Sequence, residues 1–137
     1  VAVDVPDLAW RLAERFLPGA LTLVLRCAPK IPGRVTAGGV TIAVRVPDHA
    51  VPRAIIRGLG SPITGTSANL SGMPSTTDPE EVLRQLGDTI DLVISHGKCY
   101  KGKESTIVDV TGQKPRILRQ GAIPREEIEE ACGLSLA

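Results

Sequence analysis

The fold class is indicated most clearly by residues 18–27, which read Pro-Gly-Ala-Leu-Thr-Leu-Val-Leu-Arg-Cys. Pro18 and Gly19 interrupt the chain, and residues 21–27 after them are nearly all apolar. An apolar run of this length after turn residues is typical of a buried strand. Upstream, residues 6–17 carry apolar side chains at the spacing of one helix face. This junction therefore predicts a helix that leads into a central strand.

Further helices and strands are predicted downstream of this junction. Apolar spacing, capping residues and glycine or proline stops predict helices at 48–59, 78–86 and 124–133, and strands at 40–46, 61–66, 92–95, 106–110 and 116–119. The last two strands form a hairpin-like pair around residues 111–113. Because helices and strands mix without strict alternation, we expect an α/β fold with a mixed β-sheet.

Length and composition exclude several classes of protein. The 137 residues suit one domain, and sixteen Lys and Arg against fifteen Asp and Glu leave a net charge of +1, which argues against a strongly basic nucleic-acid binder. Only Trp10, Phe16 and Tyr100 are aromatic, so a platform for base stacking is not expected. Three cysteines without CxxC spacing predict free thiols rather than a zinc site or a disulfide framework.

The location and the extent of the chain also follow as expectations. No apolar run approaches the roughly eighteen residues of a membrane span, and the free thiols indicate a reducing compartment, so we expect a cytoplasmic protein without a membrane partner. The sequence begins with Val1 rather than Met. We therefore expect a single domain over residues 1–137 that is truncated at its N-terminus.

The most unusual stretch is residues 64–77, which read Thr-Gly-Thr-Ser-Ala-Asn-Leu-Ser-Gly-Met-Pro-Ser-Thr-Thr. Its composition is compatible with an ordinary turn-rich loop. It is also compatible with an anion site, because small hydroxyl residues let backbone N–H groups approach phosphate oxygens. The loop follows a predicted strand, and ligands of α/β sheets bind at the carboxyl ends of strands.

Two arginines and a lysine-rich loop are further candidates. Arg45 shares a strand face with Thr41 and Ala43 in the predicted alternation, and Arg119 ends a predicted strand. Either is an exposed arginine or a fork for a carboxylate or phosphate. Residues 97–103 resemble a P-loop, but Glu104 stands where a Ser or Thr would bind Mg²⁺, which favours a solvated loop.

No catalytic nucleophile and no metal site are predicted. His49 and His96 have no nucleophile or ligand partner at a recognisable spacing. A site built from hydroxyls, amides and arginines acts by positioning and electrostatics instead.

An ordered set of motifs resembles one family, the YrdC-like domain of threonylcarbamoyl-AMP synthases. The set comprises Pro18-Gly19 with Thr22, residues 41–49, residues 67–72, residues 105–109 and residues 118–121. The resemblance implies one twisted α/β domain with helices around a mixed sheet and an open, positively lined cavity. It also implies a nucleotidyltransferase that makes L-threonylcarbamoyladenylate and pyrophosphate from L-threonine, bicarbonate and ATP.

The resemblance assigns site residues and partners. It places Arg45, Gly65 and Ser105 around L-threonine, and it places Thr41, Ser67, Asn69, Ser75 and Arg119 around ATP. ATP is a substrate, with Mg²⁺, and no tightly bound cofactor is implied. The implied protein partner is a tRNA-modifying threonylcarbamoyl transferase, and tRNA or double-stranded RNA is a further partner.

One departure from the family and two alternatives accompany this reading. The family carries an upstream threonine-contacting turn and a Lys-x-Arg element for the triphosphate, and no segment here matches them, so we expect this chain alone to be inactive. The alternatives are a non-catalytic module of the same fold that binds double-stranded RNA or tRNA, and a carbamoyl-transferring subdomain of a hydrogenase-maturation protein.

Overall fold

The computed structural model describes residues 1–95 and 103–136. Its helices and strands are β1 (Ala2–Val3), α1 (Asp7–Phe16), β2 (Leu21–Cys27), α2 (Gly33–Thr36), β3 (Thr41–Val44), α3 (Ala50–Leu59), α4 (Pro79–Leu86), β4 (Thr106–Asp109), β5 (Arg116–Arg119) and α5 (Arg125–Cys132).

The chain divides into two compact units. The first comprises Val1–Pro62 with Lys103–Ala137, and the second comprises Ile63–Gly102. That residues 1–137 make a single domain stays a prediction.

The first unit is built on a five-stranded sheet with β2 at its centre. One edge of β2 pairs with β4 in parallel and with β1 in antiparallel orientation, and the other edge pairs with antiparallel β3. β5 extends the sheet beyond β4 in antiparallel orientation. The predicted α/β fold with a twisted mixed sheet flanked by helices is therefore confirmed.

The two faces of this sheet differ in chemistry because the strand register sorts the side chains. Leu21 pairs with Thr106, and Leu23 pairs with both Val108 and Val44, so these residues lie on one face. That face meets α1 and α5 in a core of Ala9, Leu12, Leu21, Leu23, Leu25, Val108, Val110, Ile123, Ile128, Cys132 and Leu136. The opposite face carries Thr22, Thr41, Ser105 and Arg119, so it is the polar face of the sheet.

Helices α1 and α5 pack against each other, and both contribute residues to the core beneath the sheet. Arg15 donates to the Glu130 carboxylate at 2.7 Å, and Arg11 donates to the Cys132 carbonyl at 3.4 Å. Burial raises the pKa of the Cys132 thiol. The charge of Glu129 also raises this pKa, whereas the charge of Arg11 lowers it by less than burial raises it. The predicted free thiols are confirmed for Cys27 and Cys132.

The second unit contains α4, which begins as the sequence predicts. Asp78 is its N-cap and accepts from the Glu80 amide at 3.0 Å, and Pro79 occupies the first turn. Gly87–Thr89 continues α4 as a 3₁₀ turn. The segment before α4, residues 63–77, contains no helix or strand.

Two predicted strands are wrong. Residues 61–66 and 92–95 pair with no strand among residues 1–95 and 103–136. Residues 61–66 are all exposed, and Pro62 has no N–H to offer a neighbour. Leu92 is 77% exposed and Ile94 57%, so this segment has no buried face either. An apolar run forms a strand only where a partner edge and a core surface are available.

Smaller differences concern the ends of elements. β3 ends at Val44, so Arg45 follows the strand rather than lying inside it. The predicted loop after β2 contains the short helix α2, and the strand β1 was not predicted. Within residues 1–95 and 103–136, no helix is both long and apolar enough to cross a membrane.

Candidate functional site

Ser105 and Arg119, which the resemblance assigns to different substrates, are in direct contact on the polar face. Arg119 donates to the Ser105 carbonyl from Nε at 3.3 Å and from Nη2 at 2.9 Å. The same Nη2 lies 3.2 Å from the Ser105 hydroxyl. The Ser105 side chain is buried directly before β4, whereas Arg119 ends the adjacent strand β5. The strand pairing therefore brings the two residues together.

Thr22 of β2 completes this cluster. Its hydroxyl lies 2.8 Å from the hydroxyl of Ser105, and both groups are buried. A guanidinium only donates hydrogen bonds, so Arg119 uses one lone pair of the Ser105 oxygen. One hydrogen and one lone pair of Ser105 then remain for Thr22 and a ligand oxygen or nitrogen.

Arg119 is also held from outside the cluster. Its Nη1 forms a 2.8 Å ion pair with the exposed carboxylate of Glu104. All three guanidinium nitrogens thus have partners in the chain, which fixes the plane of the group. An anionic ligand at Arg119 would meet Glu104 as a competing anion.

The backbone after Arg119 is locked to the first residue of β4. The buried Thr106 hydroxyl donates to the Ile123 carbonyl at 2.7 Å and accepts from the amides of Gly121 and Ile123 at 3.0 and 3.1 Å. Gly121 lies so close to β4 that a Cβ atom there would overlap the Glu104 carbonyl oxygen and the Thr106 amide nitrogen. Only glycine fits this approach, which places the backbone after Arg119 directly against the residues around Ser105.

Arg45 lies directly after β3. Its Nε donates to the Gly19 carbonyl at 2.8 Å, and the Gly19 amide donates to the Val46 carbonyl at 2.9 Å. The two terminal nitrogens of Arg45 have no hydrogen-bond or ion-pair partner in the part of the chain that the structure describes. They form an exposed, oriented fork of the kind that binds a carboxylate.

Thr41 lies elsewhere on this sheet, at the start of β3. It lines an open pocket of about 330 Å³ together with Val3, Asp4, Arg26, Cys27, Val40 and Thr111. Among the predicted site residues, Thr41 alone lines this pocket. The positively lined cavity that the resemblance implies stays a prediction.

An acidic residue near the pocket supports the β4–β5 hairpin. Burial alone would raise the pKa of Asp109, but the hydroxyl and amide of Thr111 and the guanidinium of Arg116 outweigh it and lower the pKa. Arg116 Nη2 lies 3.0 Å from the Asp109 carboxylate, and the Thr111 hydroxyl lies 2.7 Å from it. Ionised Asp109 thus stabilises the hairpin through its contacts with Arg116 and Thr111.

In the second unit, the other four predicted residues lie on one stretch of chain. Gly65, Ser67 and Ser75 are exposed, and nothing lies within 4 Å of a Cβ built at Gly65. Thr66 Oγ1 donates to the Ser67 carbonyl at 2.8 Å. The P-loop lookalike at residues 97–103 falls almost entirely on residues 96–102, outside the described residues.

Asn69 organises this stretch, which we call the hydroxyl loop (residues 64–77). Its Nδ2 donates to the carbonyls of Leu70 at 2.9 Å and Met73 at 2.7 Å, and the Met73 amide closes a turn on the Leu70 carbonyl at 3.0 Å. These two acceptors fix the orientation of the amide. Its Oδ1 is buried and has no hydrogen-bond partner among the described residues. A buried acceptor of this kind favours a donor from a ligand or water.

Sequence reasoning missed three residues around the site. Thr22 was part of a quoted motif but received no role, and Glu104 and Thr106 received none in the site. Their contacts depend on strand register, and Thr22 and Ser105 are 83 positions apart. The available signal is the hydroxyl of Thr22 inside a strand whose other residues, apart from Arg26, are apolar.

The comparisons with known proteins agree with the fold. The family model for Sua5, YciO and YrdC, described as "Telomere recombination", matches residues 1–121. The threonylcarbamoyl-AMP synthase of Bacillus subtilis (strain 168) is 45% identical over 129 residues, which are 93% of this chain and 37% of that protein.

Two solved structures are similar over most of the chain. Pyrococcus abyssi Sua5 complexed with L-threonine has a TM-score of 0.92 and 40% identity, covering 99% of this chain and 40% of that one. Escherichia coli YciO has a TM-score of 0.79 and 32% identity, covering 93% and 62%. The chain spans about two fifths of the length of the Bacillus and Pyrococcus proteins. From the family match and these similarities, the chain belongs to the Sua5/YciO/YrdC family.

Proposed function

We propose that this chain supplies substrate-binding parts of an L-threonylcarbamoyladenylate synthase. The Bacillus relative carries the name threonylcarbamoyl-AMP synthase, and the Pyrococcus structure was determined with L-threonine. The reaction is a nucleotidyl transfer in which L-threonine, bicarbonate and ATP give L-threonylcarbamoyladenylate, pyrophosphate and water. ATP enters as a substrate together with Mg²⁺.

The observation that carries the proposal is the contact between Ser105 and Arg119. One residue is assigned to threonine and the other to the nucleotide, and their side chains lie 3.2 Å apart. A carbamate must reach the α-phosphate of ATP, so the sites for the two substrates have to adjoin. The free guanidinium fork of Arg45 suits the carboxylate of the amino acid.

The chemistry requires no protein nucleophile. The threonine amine and bicarbonate form a carbamate with loss of water, and a carbamate oxygen then attacks the α-phosphorus. The bond from that phosphorus to the bridging oxygen breaks, and pyrophosphate leaves with the electron pair. The side chains would orient the two reactants and stabilise negative charge as it develops.

The nucleotide side of the proposal rests on Thr41, Arg119 and the hydroxyl loop with Ser67, Asn69 and Ser75. Arg119 would offer positive charge to phosphate oxygens. Asn69 Oδ1, buried and without a partner among the described residues, suits a donor group of the nucleotide or of its bound water. Gly65 would allow close approach of the ligand, because the space beside its Cα is open.

The product is a reactive mixed anhydride that a second enzyme must consume. We propose that this enzyme is a threonylcarbamoyl transferase that modifies tRNA, and that tRNA or double-stranded RNA is a further partner. We further propose that this chain by itself binds substrates without releasing pyrophosphate, because it spans about two fifths of the length of the Bacillus and Pyrococcus relatives.

The decisive test uses calorimetry to compare the L-threonine affinity of the original protein with that of Arg45→Ala. Loss of a charge-assisted pair to the carboxylate should weaken L-threonine binding by roughly 1.5–3 kcal/mol, whereas ATP affinity should change little. Arg34→Ala is the matched control, because Arg34 is an exposed arginine on α2 of the same unit.

Two outcomes would contradict the proposal. If Arg45→Ala weakens both substrates equally, Arg45 is not the carboxylate fork. If the protein binds double-stranded RNA but neither L-threonine nor ATP, the non-catalytic RNA-binding module is the correct reading.

A further inference from the structure

The side chain of Gln85 connects helix α4 to the hydroxyl loop. Gln85 Oε1 accepts from the Leu70 backbone amide at 3.0 Å, fifteen positions earlier in the chain. The loop has no strand pairing, and the residues assigned to the nucleotide lie on both sides of Leu70. The hydrogen bond from Gln85 therefore joins the middle of this segment to helix α4.

The orientation of the Gln85 amide is itself determined. Gln85 Nε2 donates to Glu81 Oε1 at 2.7 Å, one helical turn earlier. A carboxylate only accepts, so the NH₂ group must face Glu81 and the oxygen must face Leu70. Arg84 forms an ion pair with the same Glu81 carboxylate. Glu81 thus selects the face of Gln85 that meets the loop.

The position of Leu70 makes this bond consequential for Asn69. Leu70 follows Asn69 directly, and the Leu70 carbonyl accepts from the Asn69 side chain at 2.9 Å. Holding the amide of Leu70 therefore holds the peptide from which the Asn69 side chain projects. This peptide and the bond to the Met73 carbonyl together position the buried oxygen of Asn69.

We propose that Gln85 is a positioning residue for the nucleotide site, which it serves through Leu70 and Asn69 without touching the ligand. This inference rests on the proposed nucleotide-binding function of the hydroxyl loop. Asn69 braces the turn from inside, whereas Gln85 anchors it to a helix. Anchoring a loop before the ligand arrives lowers the ordering cost of binding.

The test measures amide hydrogen exchange and ATP affinity in Gln85→Ala and Gln85→Glu. In Gln85→Ala the Leu70 amide loses its acceptor, so its exchange accelerates, and the dissociation constant for ATP rises about ten-fold through lost preorganisation. Gln85→Glu keeps an acceptor oxygen but faces the Glu81 carboxylate, so we expect a smaller rise. The affinity for L-threonine should change less than the affinity for ATP, because Arg45 and Ser105 lie outside the hydroxyl loop.

The matched control is Arg84→Ala, on the same helix. Arg84→Ala removes the ion pair with Glu81 but leaves both hydrogen bonds of Gln85, so Leu70 exchange and ATP affinity should stay near their original values. Glu81→Ala should accelerate Leu70 exchange, because Gln85 then loses the partner that orients it.

Three results would overturn the positioning role. One is accelerated Leu70 exchange in Gln85→Ala with unchanged ATP affinity. Another is accelerated exchange throughout α4, which would make Gln85 a structural residue of the helix. The third is a failure of the unsubstituted protein to bind ATP. That result also overturns the proposed nucleotide site itself. The first two results leave the proposed function standing, so the two failures can be told apart.

Discussion

The two units hold their predicted site residues by different physical means. In the first unit, Ser105 and Arg119 are placed by paired strands, and their groups contact buried backbone and side-chain atoms. In the second, Ser67 and Ser75 lie on an exposed loop that a few side-chain bonds shape. A change at the first kind of site disturbs the fold and the ligand together, whereas a change at the second kind affects mainly the ligand.

The largest expected effect separates two glycines. Gly121→Ala forces a methyl group into the backbone of β4, so the free energy of unfolding should fall by roughly 3 kcal/mol. Gly65→Ala meets open space and should leave stability unchanged. Chemical denaturation of both variants measures the difference. Equal stability of the two variants would break the comparison between the units.

The next effect separates the assigned nucleotide residues Arg119 and Ser67. Arg119→Ala removes hydrogen bonds to Ser105 and an exposed ion pair, so it should cost roughly 1–2 kcal/mol of stability as well as ATP affinity. Ser67→Ala should lower ATP affinity while stability stays within roughly 0.5 kcal/mol. Thermal melting without ATP measures stability, and the rise in melting temperature with ATP reports its affinity. A large loss of stability in Ser67→Ala would show that the loop is structural.

The smallest effect concerns pH and Asp109 of the first unit. Its pKa is lowered in the folded protein from the ordinary value of 3.8, so its stabilising contribution is complete above pH 3.8 and is lost as the pH falls through the lower folded pKa. Asp109→Asn should therefore be less stable at neutral pH, by about 1 kcal/mol or less, and should show weaker acid dependence. Urea denaturation at pH 7 and near pH 3 provides the measurement. If the free energy of unfolding depends on pH in the same way for the original protein and Asp109→Asn, ionised Asp109 does not stabilise the hairpin.

Sequence patterns predicted the parts of the fold in which local chemistry and tertiary environment agree. The apolar run at residues 21–27 became β2 with the same bounds, and Asp78 with Pro79 began α4. The segments 61–66 and 92–95 failed because apolar content alone does not supply a partner edge. Arg45 was placed inside a strand that ends one residue earlier.

The site could be predicted only as a set of residues. The ordered motifs named Ser105 and Arg119, and the hairpin-like pattern predicted the pairing of β4 with β5. The register of that pairing, which brings the two side chains into contact, is not encoded by a local pattern. The bond from Gln85 to Leu70 joins a helix to an irregular segment and left no periodic signal. Contacts between distant residues were the part that sequence could not supply.

The parallel pairing of β2 with β4 has a consequence for how the first unit folds. These two central strands join Leu21 to Thr106, and the whole of Ile63–Gly102 lies between them in the chain. The core can form only after a loop of this length has closed, which is entropically costly and gives slow folding. The same topology makes Ile63–Gly102 an insertion in the chain, so its length and composition can change while the ladder between β2 and β4 keeps its register.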